Sequence, residues 1–63
     1  MKLHLRVDET NERHVHVTLF MDGMHCGRLT LDHDEFDALR EILLAGEGPG
    51  MLVEVDERDK ADA

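Results

Sequence analysis

The 63-residue chain has no tryptophan, no tyrosine, one proline and one cysteine, and Phe20 and Phe36 are its only phenylalanines. Each shortage excludes something. A lone cysteine, Cys26, cannot close an internal disulfide, so a chain this short must be held by its packing, a metal or a partner chain. A free thiol fits a reducing compartment. Two phenylalanines do not line an aromatic enzyme pocket. Nor do they build a platform on which successive bases could stack. No apolar run approaches the ~20 residues of a membrane span, and the start MKLHLRVDE lacks the apolar stretch of a signal peptide. The expected location is cytoplasmic. Positive charge is scarce too. Seven Lys/Arg against fifteen Asp/Glu give a net charge of −8, and five protonated histidines would still leave it at −3. Bulk electrostatics therefore oppose double-stranded nucleic acid and anionic membranes.

What is present is alternation. KLHLRVD (2–8) turns Leu3, Leu5 and Val7 one way and Lys2, His4, Arg6 and Asp8 the other, the pattern of a half-buried strand. HVHVTLFM (14–21) repeats it, with Val15, Val17, Leu19 and Met21 inward and His14, His16, Thr18 and Phe20 outward. Between them ETNER is polar, and its Asn11 tolerates left-handed backbone, so a hairpin is expected. Matching inward with inward pairs Val7 with Val15, Leu5 with Val17 and Leu3 with Leu19. That register sets Asp8 against His14, Arg6 against His16 and Glu9 against Arg13. CGRLTL (26–31) is a third short strand with Leu29 and Leu31 inward. The Asp22-Gly23 pair before it signals a two-residue hairpin turn. Such a turn puts both leucines on the wrong face, unless the loop has three residues or an extra residue bulges into the third strand beside Gly27.

DHDE (32–35) opens a helix. Asp32 is a good N-cap, Glu35 completes a capping box, and both Asp34 and Glu35 suit the positive end of the helix dipole. Phe36, Leu39, Ile42 and Leu43 form one apolar stripe over about 33–45, Leu44 lies off it, and Gly46 is the stop. GEGPG (46–50) continues neither helix nor strand. MLVEV (51–55) is a last strand with Met51, Val53 and Val55 on one side. Residues 1–56 are thus expected to form a single compact α+β domain, and 57–63 a charged flexible tail. The order β-β-β-α-β predicts two layers: a four-stranded, mostly antiparallel sheet in the order 3-2-1-4, its last pair parallel, with one helix on one face.

That arrangement collects Lys2, His4, Arg6, His14, His16 and Arg28 on the outer sheet face, with Arg13 at the hairpin end. Phe20 lies among them, and an aromatic on a polar face is a mark of an interface. These residues are the candidate partner- or ligand-binding face. The bland alternative is a solvated surface whose cations answer Asp8, Glu9 and Glu54. His4, His14 and His16 could converge on a metal, with His4 diagonal to His16. Arg6, placed opposite His16, would repel the cation, so neither a metal nor another cofactor is expected. Capping explains the acids of DHDE, which lack the spacing of a calcium loop. His25 and Cys26 are strand neighbours that point opposite ways, so they make no catalytic pair. GEGPG lacks the Lys and Ser/Thr of a phosphate loop. No catalytic set emerges, and an enzyme is not expected.

The function these features suggest is that of a small acidic interaction protein. It would be homodimeric and would bind another protein through its sheet face or an edge strand. Phe20, Leu44 and Leu52 fall outside the expected core and are the candidate dimer contacts. The alternative is a binder of a small anionic ligand or nucleotide on the His/Arg-rich face. The β-β-β-α-β order is similar in topology to the small sheet domain of HicB-type antitoxins. Size, acidity and the lack of a catalytic set are similar to those of phage or mobile-element accessory and inhibitor proteins. Neither likeness assigns a role to any residue.

Overall fold

A computed structural model describes residues 1–57. Along the chain run β1 (Lys2–Thr10), β2 (His14–Met21), β3 (Met24–Asp32), α1 (His33–Ala45) and β4 (Leu52–Asp56). The four strands form one sheet in the order β3-β2-β1-β4. β2 is antiparallel to both neighbours, while β4 is parallel to β1. This is the α+β architecture that the alternation and the single helical stripe predict.

The core lies between the sheet and α1. Leu3, Leu5 and Val7 of β1, Val15 and Val17 of β2, and Phe36 of α1 are buried. Leu19, Leu31, Leu39, Leu43 and Val55 pack against them. Three residues expected inside are not. Met21 is 40% exposed, Leu29 42% and Ile42 68%. The line that α1 presents to the sheet is Phe36, Leu39 and Leu43, and Ile42 lies about 100° round from Leu43 on the helix flank. β3 is an edge strand, and of its apolar residues Leu31 joins the core.

The helix begins as its sequence requires. The Asp32 carboxylate accepts the Glu35 backbone N–H at 2.7 Å, and the Glu35 side chain accepts that of Asp32 at 2.9 Å. His33 Nε2 lies 2.7 Å from the Asn11 carbonyl, tying the helix start to the β1–β2 loop. Inside that loop the Asn11 side chain accepts the backbone N–H groups of Arg13 and His14 at 2.9 and 2.8 Å. Gly46 ends α1 in ordinary right-handed backbone, its N–H reaching Ile42 and Leu43 carbonyls.

The β1–β2 register differs from the expected one by two residues. Val7 pairs with Val17, Leu5 with Leu19 and Leu3 with Met21. A shift of two leaves every side chain on its own face, so the inward-to-inward rule cannot separate the two registers. What separates them is a bulge at Asp8. The ladder passes from Val7↔Val17 to Glu9↔His16 and closes at Thr10↔Val15. The expected outer pairs are therefore replaced. Arg6 faces Thr18, His4 faces Phe20, and Glu9 faces His16.

The Asp22-Gly23 hairpin settles the second register question. Met21 pairs with Met24 directly across a two-residue turn, in which Asp22 has φ 51° and Gly23 φ 84°. Both values lie in the left-handed region such a turn needs. Cys26 is then the extra residue, because Phe20 pairs with His25 and Leu19 with Gly27. The bulge, and not a longer loop, turns Leu29 and Leu31 to the helix side. Asp22 also pins the start of β1: its carboxylate accepts the Lys2 N–H at 2.7 Å, and its own N–H reaches the Lys2 carbonyl at 2.8 Å.

β4 docks beside β1 with Leu3 against Val53 and Leu5 against Val55. The N-terminal ammonium donates to the Gly50 carbonyl at 3.0 Å. Glu57, the first residue of the expected tail, lies 3.3 Å from the Arg40 guanidinium of α1. Residues 58–63, the remainder of that tail, lie outside the described residues.

Candidate functional site

The outer sheet face is built around Phe20. The β2 ladder sets it between His4 of β1 and His25 of β3. Its ring centroid is 5.6 Å from that of His4 and 5.8 Å from that of His25, the latter edge-on. The Arg6 guanidinium carbon lies 5.1 Å from the ring centroid. A cation over an aromatic ring contributes about 0.5–1 kcal/mol when exposed and more once a partner removes the water. Lys2, His4, Arg6, Phe20 and Gly23 line an open concavity of about 250 Å³. Its floor is apolar and its rim is basic.

Beside this cup sits Asp8. Asp8 lies on the outer face, where Arg6 Nε donates to it at 2.7 Å and the Thr18 hydroxyl donates to its other oxygen. Thr18 is 1% exposed although it belongs to the outer face. Its hydrogen bond holds the Asp8 carboxyl below the usual carboxylate value, against the opposing effect of burial, and the Arg6 and Arg28 charges add to the lowering. Asp8, Glu9, His16, Arg28 and Thr30 border a second, wider depression of about 330 Å³. There His16 Nδ1 lies 3.1 Å from the Thr30 hydroxyl.

The Asp8–Thr18 pair makes a stability prediction. Asp8→Ala leaves the buried Thr18 hydroxyl without its acceptor, and the expected loss at neutral pH is about 1–3 kcal/mol by urea unfolding. Adding Thr18→Val removes the orphaned group and is expected to recover most of that loss. The pH dependence follows from the lowered value. A carboxyl whose folded pKa lies below its unfolded 3.8 stabilises the fold above 3.8 and stops doing so as pH falls through the folded value. The melting temperature of the wild-type chain should therefore fall more steeply below about pH 4 than that of Asp8→Asn. Parallel curves would show that Asp8 does not carry this term.

The structure divides the predicted site residues into groups. Lys2, His4, Arg6 and Phe20 come together in the cup. His16 and Arg28 join Asp8 in the neighbouring depression. His14, exposed near the β1–β2 loop, has its ring 6.5 Å from that of His16. The diagonal between His4 and His16 does not exist, because His4 faces Phe20 while His16 faces Glu9. Among the described residues no group of three or more His, Cys, Asp or Glu could hold a metal ion. Of the candidate dimer contacts, Phe20 and Leu52 belong to the outer sheet face, while Leu44 is on α1 in the other layer. The three do not make one patch.

Two arrangements on this face escape sequence reasoning: His25 beside Phe20, and the pairing of Asp8 with Thr18. His25 stands beside Phe20 because the two-residue turn pairs Met21 with Met24 and so Phe20 with His25, ahead of the Cys26 bulge; a third strand begun at Cys26 passes over it. Asp8 and Thr18 meet because of the β1 bulge, for which KLHLRVD carries no signal. Comparison with known protein families, curated proteins and solved structures finds no match. Among the described residues no helix is long and apolar enough to cross a membrane.

Proposed function

We infer that this chain is a small acidic interaction protein of the cytoplasm, homodimeric and without enzymatic activity. It binds another protein through the outer face of its sheet. An accessory or inhibitory role of the kind played by small phage and mobile-element proteins fits this reading. One observation carries it: Phe20 sits half-buried at the floor of a shallow cup whose rim is Lys2, His4 and Arg6. An amphipathic aromatic–cation centre in an open depression is the make-up of a protein-binding hot spot. The partner it suits offers an apolar side chain flanked by carboxylates.

The alternative, a small anionic ligand or nucleotide on the same face, has less support. The cations it would use are engaged. Lys2 lies 3.6 Å from Glu54, and Arg6 is 2.7 Å from Asp8. A small anion, held by charge alone, would have to displace both carboxylates, whereas a protein partner meeting the same cost also covers the Phe20 ring.

The test is affinity capture with the tagged full-length chain in its native host, identification of the bound protein, and measurement of its dissociation constant. Phe20→Ala is expected to weaken binding by about thirtyfold, the scale of one hot-spot residue at ~2 kcal/mol. Arg6→Ala should weaken it less, and more at low salt than at high salt. Equal binding by wild type and Phe20→Ala would remove the proposed face. A rise in melting temperature with a nucleotide, lost in Arg6→Ala, would favour the alternative.

A further inference from the structure

β3 is one of the two edges of the sheet. Along an edge strand every second residue turns its N–H and C=O away from the neighbouring strand, toward whatever approaches. Natural edges are kept short or are guarded by charge, proline or bulges. β4, the other edge, is guarded. It has five residues, two of them Glu54 and Asp56, and the Glu47 carboxylate accepts the Val53 N–H at 3.0 Å. β3 has nine residues, and its bulge lies at the hairpin end at Cys26. From Gly27 to Leu31 it carries one charge, Arg28, in a chain of net charge −8. A second copy of this acidic chain meets no acidic side chain along these five residues.

On the helix side of that edge two apolar side chains are exposed. Leu29 is 42% exposed and Ile42 68%. Arg40 turns toward Glu57, just past β4. Two residues on, about 200° round the helix, Ile42 turns to the opposite flank, the β3 side. Its height can be estimated too. Nine helical residues from His33 run back about 14 Å, which equals about four strand residues at ~3.4 Å each. Counted back from Asp32, that brings Ile42 level with Arg28 and Leu29.

We propose that β3 pairs antiparallel with β3 of a second copy about a two-fold axis through Leu29, joining two four-stranded sheets into one. The register follows from the faces. Inward residues must meet inward residues, so the axis passes through a residue and not between two. An axis through Arg28 opposes two guanidinium groups, which is unfavourable. An axis through Leu29 opposes the two Leu29 side chains, sets Arg28 against Thr30 of the other copy, and sets Leu31 against Gly27, which leaves it room. The two Ile42 side chains then meet beside the Leu29 pair. The contact is isologous and closes on itself. It also places both Phe20 cups on one face of a continuous sheet.

This inference rests on the homodimeric reading and specifies its interface. The test is the solution mass of the full-length chain by light scattering and sedimentation over a wide concentration range. Circular dichroism verifies folding of every variant. The wild type is expected at twice the chain mass. Leu29→Glu and Ile42→Glu, both at exposed positions, should each raise the dimer dissociation constant about tenfold or more. Phe20→Glu, Leu44→Glu and Leu52→Glu should leave it unchanged. In a Cys26→Ser background, Leu29→Cys should form an intermolecular disulfide on mild oxidation, while Leu52→Cys should not. A monomeric wild type would overturn both the dimeric reading and the interface. A dimer insensitive to Leu29→Glu and Ile42→Glu, or dissociated by the Leu44 or Leu52 variant, would overturn the β3 interface and leave the dimer standing. A mass that climbs past the dimer would show open-ended pairing, such as β3 onto β4, and overturn the closed contact.

Discussion

Phe36→Ala is expected to remove roughly half or more of the protein's folding stability. Phe36 is the buried residue of α1 and completes the core with Leu5, Val7, Val15 and Val17. Truncating a core phenylalanine costs about 3–5 kcal/mol. Stability of roughly 0.05–0.15 kcal/mol per residue gives a chain of this length only about 3–9 kcal/mol in total. The site also cannot collapse cheaply. A cavity of about 140 Å³ already lies beside the ring, lined by Val7, Thr10, Val15, His33, Phe36, Asp37 and Glu57. Removing the ring enlarges it and opens the sheet–helix seam to water. The Arg40 guanidinium carbon, 5.7 Å from the ring centroid, loses its platform as well. Urea unfolding and the dispersion of amide NMR signals check the prediction. Phe36→Leu should retain the fold with a smaller loss. Ile42→Ala, on the same helix but 68% exposed, should change the stability of the monomer, measured at concentrations below the dimer dissociation constant, by less than about 0.5 kcal/mol. If Phe36→Ala were as mild as Ile42→Ala, the helix would not be anchored by this ring.

The contrast between Phe36 and Ile42 also shows where sequence patterning stops. Helical spacing selects both residues for the apolar stripe. Only the width of the sheet beneath decides which of them finds cover. β3 is an edge, so the helix flank above it has nothing further out to pack against. Alternation fixes the faces of β1 and β2 with the same limits. It puts Leu3, Leu5 and Val7 inside and His4 and Arg6 outside. It cannot distinguish two registers that differ by an even step, and the Asp8 bulge makes that choice. The candidate face was legible as a set of residues and not as an arrangement. Lys2, His4, Arg6 and Phe20 do share it. That His25 flanks Phe20 follows from the two-residue Asp22-Gly23 turn, whose chemistry the sequence does signal. That His4 flanks it, and that Asp8 holds Arg6 and Thr18, follow from the β1–β2 register, whose bulge at Asp8 leaves no mark in the composition of its strand.

Leu5→Ala is expected to be nearly as damaging, for a reason that concerns the order of the strands. Leu5 is fully buried on β1, with Leu19 of β2 on one side and Val55 of β4 on the other. A buried Leu→Ala change costs about 2–5 kcal/mol. β2 can lean on β3 through its hairpin. β4 has no second strand to lean on: it pairs with β1 alone and is reached only after α1 and the glycine-rich loop. Its place in the sheet therefore depends on the Leu5–Val55 and Leu3–Val53 contacts. A double-mutant cycle tests this dependence. Leu5→Ala and Val55→Ala should couple by at least about 0.5 kcal/mol, since the second truncation removes a contact the first has already lost. Leu5→Ala combined with the exposed Leu44→Ala should add within about 0.3–0.5 kcal/mol. Amide exchange gives the spatial readout. In Leu5→Ala the β4 amides should lose protection ahead of those in β2 and β3. Additive energies for Leu5 and Val55, together with uniform loss of protection, would show that β4 is held by its loop and by the Glu57–Arg40 contact instead of by the central strand.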